Sequence, residues 1–288
     1  MKQVRVFLEA IKFEHTVFAL PFAYIGMLLA NRGFPPIKTL LWITLAMVSA
    51  RTYAMTLNRI VDLPFDRKNP RTWDRPLVTG ALKLRVAWGG LFISLLTFLI
   101  SAYQLGPLPF KLSPVALFFL TFYHFTKRFT WLSHFFLGFT DGLAPLGAWL
   151  ALRRSLFHRE DLGGWLLTFI VTFWIAGFDI IYACLDIEVD RRDGLKSIPA
   201  VFGLRKALWI STLCHLIMLG GLVTLGLLLK LGWPFWIGSA ICGGLLLYEH
   251  SLVKPEDLSK VNIAFFNVNS YISLVLFFSI TLSVFLPK

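Results

Sequence analysis

Charge is scarce in this 288-residue chain: 15% of the residues are Asp, Glu, Lys or Arg, against 57% hydrophobic, and mean hydropathy is +0.69. So little charge cannot clothe a water-soluble globule of this size, so the chain requires lipid as its solvent. Cysteine is scarce too. Its three copies, Cys184, Cys214 and Cys242, all fall in apolar runs, which argues against a disulfide framework or a thiolate metal site. Walker and Rossmann glycine loops, a Ser-His-Asp set and low-complexity tracts are missing. The six histidines, His15, His124, His134, His158, His215 and His250, lack metal-ligand spacing and are expected to be interfacial or core residues. No Ala-x-Ala cleavage pattern follows the first apolar run, so that run is expected to remain as an anchor.

What the chain has in quantity is long apolar runs. Nine are expected to cross a membrane as helices: Phe13 to Ala30, Leu40 to Leu57, Val86 to Tyr103, Pro114 to Phe125, His134 to Leu152, Trp165 to Leu185, Ala207 to Leu229, Trp233 to Tyr248 and Ile263 to Leu286. The fourth and eighth are short. The 28 Lys and Arg exceed the 16 Asp and Glu, giving +12, yet their placement speaks for a membrane rather than nucleic acid. Alternate loops hold 19 basic residues on one side and 8 on the other, with Arg51 inside a span. The positive-inside rule then puts the amino terminus in the cytoplasm and the carboxyl terminus outside. The chain reads as one polytopic membrane domain over residues 1–288. Its two long charged loops, 59–85 and 186–206, follow spans two and six on the cytoplasmic side, an arrangement compatible with a weak internal duplication.

Those two loops open on acidic clusters. In the first, at about 100° per residue, Arg51, Asn58 and Asp62 share an arc of about 40° on one helix face, with Asp66 beyond Pro64. In the second, Asp179, Tyr182, Asp186, Asp190 and Asp193 share an arc of about 80°, with Glu188 on the far side. An acidic stripe on an apolar helix is tolerated only against protein, water or cations. Carboxylate and amide oxygens are hard ligands, suited to Mg²⁺ that takes its remaining ligands from substrate phosphates. Arg67, Arg71, Arg75, Lys127, Arg128 and Lys196 lie nearby in sequence to neutralise phosphate oxygens. An apolar wall beside such a site suits a substrate that is part diphosphate and part hydrocarbon.

The patterns Asn58-x3-Asp62-x3-Asp66, Arg71-Thr-x2-Arg75-Pro-Leu-x2-Gly80 and Asp186-x3-Asp190 with Gly194-Leu-Lys-Ser197 resemble the UbiA superfamily of intramembrane prenyltransferases. The resemblance extends over nearly the whole chain, from Lys12-Phe-Glu-His-Thr through Thr126-Lys-Arg-Phe-Thr130 to Ala144-Pro-Leu-Gly-Ala-Trp149. It is nearest to the 4-hydroxybenzoate polyprenyltransferases and to enzymes of the futalosine route to menaquinone, in which Asn-Arg opens the first motif as Asn58-Arg59 does here. Trp131, His134 and Asp141 depart from the pattern.

The resemblance implies nine spans around a central cavity with a cytoplasmic cap. It also implies ionisation of an allylic diphosphate followed by substitution on an activated ring. Asn58, Asp62, Asp66, Asp186 and Asp190 would hold Mg²⁺ and the diphosphate. Arg71, Lys127 and Lys196 would bind phosphate oxygens, with Arg67, Arg75, Asp179 and Ser197 as further substrate-binding positions. Arg51 and Arg128 would meet phosphate or an acidic aromatic substrate, and Tyr182 would face the allylic cation. The partners so implied are a polyprenyl diphosphate, a small aromatic acid and membrane lipid, in a prokaryotic cytoplasmic membrane. Transfer to haem, a chlorin or a glycerol-phosphate lipid fits the same residues. A cation-coupled transporter is the rival of another class, and it expects acids near the bilayer midplane.

Overall fold

The computed structural model describes residues 2–13 and 16–286, so Glu14 and His15 lie outside the described residues. Among those described, the regular structure is helical: α1 (Lys2–Ala10), α2 (Thr16–Asn31), α3 (Ile37–Val61), α4 (Leu63–Asp66), α5 (Leu84–Leu105), α6 (Pro107–Thr126), α7 (Ser133–Arg153), α8 (Leu162–Ala183), α9 (Ile187–Arg192), α10 (Ile198–Phe202), α11 (Leu204–Leu229), α12 (Trp233–Leu252) and α13 (Asn269–Phe285). The boundaries follow local chemistry. Gly106, at φ 132°, ends α5, and Gly203, at φ 82°, turns the chain into α11; both are left-handed conformations that suit glycine.

Among the described residues, seven helical stretches are long and apolar enough to cross a membrane: α3, α5, α6, α7, Arg159–Arg192 around α8, α11, and Ile263–Phe285 ending in α13. Large side chains exposed along them, such as Ile93, Trp209, Leu213 and Leu227, are those of a multi-pass membrane protein presenting its flanks to lipid. Seven of the nine expected spans thus meet both criteria among the described residues, and the runs at α2 and α12 do not reach them. Helix α2 contributes Leu20–Asn31 as a shorter apolar helix among the described residues. The 20-residue α12 begins Trp-Pro and carries Glu249 and His250 in its last turn, which lowers its hydropathy. The fourth run has the opposite outcome. Its helix starts at Pro107 rather than Pro114, because Pro107 and Pro109 occupy the first turn, where a missing N–H breaks no helical bond.

The residues group into two compact units, Met1–Leu20 with Pro36–His124, and Pro21–Pro35 with Phe125–Lys288. In the first, α3 packs along α5 through Tyr53, Ala54, Leu57 and Leu91, joined by Leu120 of α6. The Tyr53 hydroxyl lies 2.9 Å from that of Thr121. Arg59 Nε donates to the Ala10 carbonyl at 2.9 Å, tying α1 to α3.

In the second unit α8 is the central helix, packed between α7 and α11, with α12 paired to α13. Its core holds Trp149, Trp174, Met218, Leu222, Phe235 and Ile272. Trp174 Nε1 donates to Asn269 Oδ1 at 2.8 Å, and Asn269 Nδ2 donates to Glu249 Oε1 at 3.3 Å, which links α8, α13 and α12. Where α7 meets α8 the backbones approach over small residues, as lipid-embedded helices do. A Cβ on Gly138 would lie 2.3 Å from the Thr172 carbonyl oxygen, whereas one on Gly220 would meet nothing within 4 Å. Gly138→Ala is therefore expected to destabilise the chain by about 1–3 kcal/mol through overpacking, and Gly220→Ala is not. Thermal unfolding in detergent measures the contrast.

Candidate active site

Helix α3 holds its helical spacing to its end, and the Asp62 N–H donates to the Asn58 carbonyl at 2.9 Å. Pro64 then enters the first turn of α4, so the chain carries Asp66 one turn past Asp62 without an unmet bond. The Asp66 N–H bonds back to the Asp62 carbonyl at 2.8 Å. Asn58 Nδ2 donates to Asp62 Oδ2 at 2.7 Å, which holds the amide and the carboxylate against each other, while Asn58 Oδ1 accepts from Arg59 Nη1 at 3.4 Å. Beyond α4 the chain folds back through turns, and the Thr72 hydroxyl donates to the Asp66 carbonyl at 3.1 Å. That return delivers Arg75, whose Nη1 lies 2.7 Å from both oxygens of the buried Asp66. Arg67 and Arg71 stand exposed on the same loop. Arg51 sits two turns earlier on α3, its Nε buried and without a hydrogen-bond partner.

The second cluster departs from one continuous stripe. Helix α8 carries Asp179 and Tyr182, but a tighter 3₁₀ turn, Cys184–Asp186, intervenes before α9 carries Asp190. Such tightening is common where an α-helix ends. It sets the aim of Asp190 by contacts rather than by one helical period. Asp190 is buried between Lys127, whose Nζ is 2.8 Å from Oδ1, and Ser197, whose hydroxyl donates to Oδ2 at 2.6 Å. Ser197 also accepts the Ala200 N–H as the N-cap of α10, and the Lys196 N–H donates to the Lys127 carbonyl at 2.7 Å. One strap thus brings Lys127, Asp190, Lys196 and Ser197 together. Asp186 is buried, Lys196 and Glu188 are exposed, and the exposed Arg128 guanidinium lies 5.0 Å from the Phe125 ring centroid. Tyr182 stacks on Phe265 at 4.1 Å between centroids. Asp141 is exposed on α7.

Two histidines go beyond the core role expected for them. His124 Nδ1 lies 3.4 Å from Asn58 Nδ2, beside the first acidic pair. His134 Nδ1 lies 2.6 Å from Asp179 Oδ2. A carboxylate on an apolar helix needing a partner was the available signal, but nothing in the spacing identified which residue supplies it. The three cysteines are buried free thiols. A cleft of about 350 Å³ between α12 and α13 is apolar and lined by none of the acidic residues.

The donor set of both clusters is oxygen-rich, without thiolate, and suits a hard divalent ion. Among the described residues no three His, Cys, Asp or Glu side chains form a complete metal cage. Asp66 and Asp190 are each neutralised by a cation of the chain itself.

Residues 19–271 match the model of the UbiA prenyltransferase family. The chain is 33% identical over 260 residues to a 4-hydroxybenzoate octaprenyltransferase of Nitrosospira multiformis, covering 89% of this chain and 87% of that one. It is 30% identical over 252 residues to the enzyme of that name from Burkholderia mallei, covering 86% and 85%. Among solved structures it resembles a UbiA homolog from Aeropyrum pernix K1 in apo form, with a TM-score of 0.85, 33% identity and coverage of 93% and 97%. It shares its fold with a UbiA homolog from Archaeoglobus fulgidus bound to DMAPP and Mg²⁺, with a TM-score of 0.66, 19% identity and coverage of 94% and 98%.

Proposed function

Since the chain belongs to the UbiA prenyltransferase family, we propose that it moves a polyprenyl group from a Mg²⁺-complexed polyprenyl diphosphate onto a small aromatic acid. Our first choice of acceptor is 4-hydroxybenzoate and our second a dihydroxynaphthoate, which makes the product a precursor of ubiquinone or menaquinone. The observation that carries this reading is the pairing of buried carboxylates with phosphate-seeking cations, Asp66 with Arg75 and Asp190 with Lys127. Such pairs are ready to divide their loyalties when a metal diphosphate arrives, carboxylate to metal and cation to phosphate.

In this mechanism Asn58, Asp62, Asp66, Asp186 and Asp190 supply the oxygen ligands. Held by these residues, Mg²⁺ would supply positive charge to the diphosphate, the charge needed as the allylic carbon to oxygen bond breaks. Arg67, Arg71, Arg75, Lys127 and Lys196 add fixed positive charge to the same oxygens, and Ser197 holds the strap that carries Lys196. Tyr182, backed by Phe265, offers a ring face to the allylic cation. Arg51, with its unmet donor, and Arg128 serve the carboxylate of the aromatic acid. Asp179 serves the acceptor's hydroxyl, because it is held by a histidine rather than a cation and so keeps an acceptor for a neutral donor. We place the amino terminus in the cytoplasm, α2 and α12 across the membrane as the eighth and ninth spans, and the loops 59–85 and 186–206 as the cytoplasmic cap.

The test is product mass spectrometry of the purified chain with geranyl diphosphate, Mg²⁺ and, in separate arms, 4-hydroxybenzoate, 1,4-dihydroxy-6-naphthoate and a glycerol-phosphate lipid. Prenylated 4-hydroxybenzoate with one pyrophosphate per product is expected. Product only in the lipid arm reassigns the acceptor. Solute flux in proteoliposomes with no pyrophosphate released in any arm overturns the transferase reading.

A further inference from the structure

His134, a departure from the family pattern, sits in the first turn of α7 with a side chain 3% exposed, and both of its ring nitrogens are committed. Nε2 lies 3.2 Å from the backbone nitrogen of Ile198. A backbone N–H can only donate, so Nε2 must carry the lone pair, and the ring proton belongs on Nδ1. That nitrogen faces Asp179 Oδ2 at 2.6 Å. The fold therefore chooses the tautomer, and the tautomer aims a donor at one oxygen of Asp179. The Asp179 side chain is 24% exposed, against 3% for the imidazole that holds it. Ile198 opens α10 directly after Ser197, the residue that bonds Asp190, which in turn pairs with Lys127. His134 is thus the joint between Asp179 and the strap Lys196–Ile198.

We propose that His134 is a positioning residue for the aromatic acceptor: it is fixed by the Ile198 N–H and in turn fixes the carboxylate of Asp179. The inference rests on the reading of Asp179 as the group that meets the acceptor's hydroxyl. Of the two oxygens, Oδ2 is occupied by the imidazole, so the orientation of Oδ1 follows from the ring. Loss of the imidazole leaves Asp179 free to rotate, and the acceptor loses its reference point while the diphosphate ligands keep theirs. Glutamine is the conservative replacement, because its side-chain amide carries a donor and an acceptor on neighbouring atoms. Phenylalanine fills the space and makes neither bond.

Steady-state kinetics of the full chain in detergent, with 4-hydroxybenzoate and geranyl diphosphate each varied at saturation of the other, test this. His134→Phe is expected to lower kcat/KM for 4-hydroxybenzoate by at least about tenfold, in the range known for partners of site residues. KM for geranyl diphosphate stays within about twofold, and His134→Gln recovers most of the loss. Equal losses on both substrates, or the same loss in His134→Gln as in His134→Phe, overturn the positioning role. Asp179→Asn separates the two ideas. Unchanged acceptor kinetics there overturn the reading of Asp179, while an acceptor defect there with none in His134→Phe overturns the role of His134 alone. Should His134→Phe fail to fold, hydrogen exchange of the unsubstituted chain decides: bound 4-hydroxybenzoate is expected to slow exchange at the Ile198 amide, and unchanged exchange under bound acceptor contradicts the linkage.

Discussion

Asp186→Asn and Asp62→Asn are each expected to lower kcat by roughly 10²–10³-fold, the cost of removing one group that stabilises charge developing in a transition state. The substitution keeps the volume and one oxygen of the side chain, so it subtracts a charge from the ligand set and little else. The chemistry makes that charge matter most at the moment of ionisation, when negative charge moves onto the departing pyrophosphate. The effect therefore falls on kcat as well as on binding. Single-turnover measurement of pyrophosphate release, beside thermal unfolding to show an intact fold, checks it. Asp190→Asn is the less informative variant. Asp190 holds Lys127 and Ser197 while buried, so its loss also loosens the strap and leaves a cation without its partner.

Chelation is expected to remove turnover entirely and to leave the fold untouched. On the proposed reading, a diphosphate without a divalent ion would meet the charges of Asp62, Asp66, Asp186 and Asp190, and two of the cations able to oppose them are engaged by Asp66 and Asp190. A bound ion contributes several kcal/mol to a developing phosphoryl charge, and each 1.4 kcal/mol is about a factor of ten in rate. The fold has less to lose, since Arg75 and Lys127 already neutralise the buried Asp66 and Asp190. Addition of EDTA followed by excess Mg²⁺ is expected to abolish and then restore product formation. The melting temperature is expected to stay unchanged throughout. A marked drop in melting temperature on chelation would assign the metal a structural role that these ion pairs do not require.

How much of this was legible in the sequence depended on the range of each interaction. The helical spacing of Asn58 and Asp62 is local, and α3 keeps it to its last turn. The continuation to Asp66 turned on Pro64, and a proline in the first turn of a new helix is harmless. The stripe from Asp179 to Asp190 was readable as a set of residues but not as a geometry, because the 3₁₀ turn at Cys184–Asp186 resets the period. Pairings across loops were not readable. Arg75 reaches Asp66 through a chain reversal held by Thr72, and Lys127 reaches Asp190 from another helix end. His134 lies 45 residues from Asp179. An apolar-helix histidine without metal-ligand spacing is most often a core residue, and only its partners make it otherwise. The number of spans was legible for the seven runs whose apolar character is continuous, whereas α12, with its Trp-Pro start and Glu249 and His250 near its end, carries a weaker signal.

The most direct measurement is a Mn²⁺ titration followed by electron paramagnetic resonance, with manganese in place of magnesium and an unreactive geranyl thiolodiphosphate as ligand. Manganese uptake that requires the diphosphate analogue, and that is lost in both Asp62→Asn and Asp186→Asn, is the predicted result. Tight binding of the analogue in EDTA, with an affinity indifferent to either substitution, would contradict a metal-bridged diphosphate.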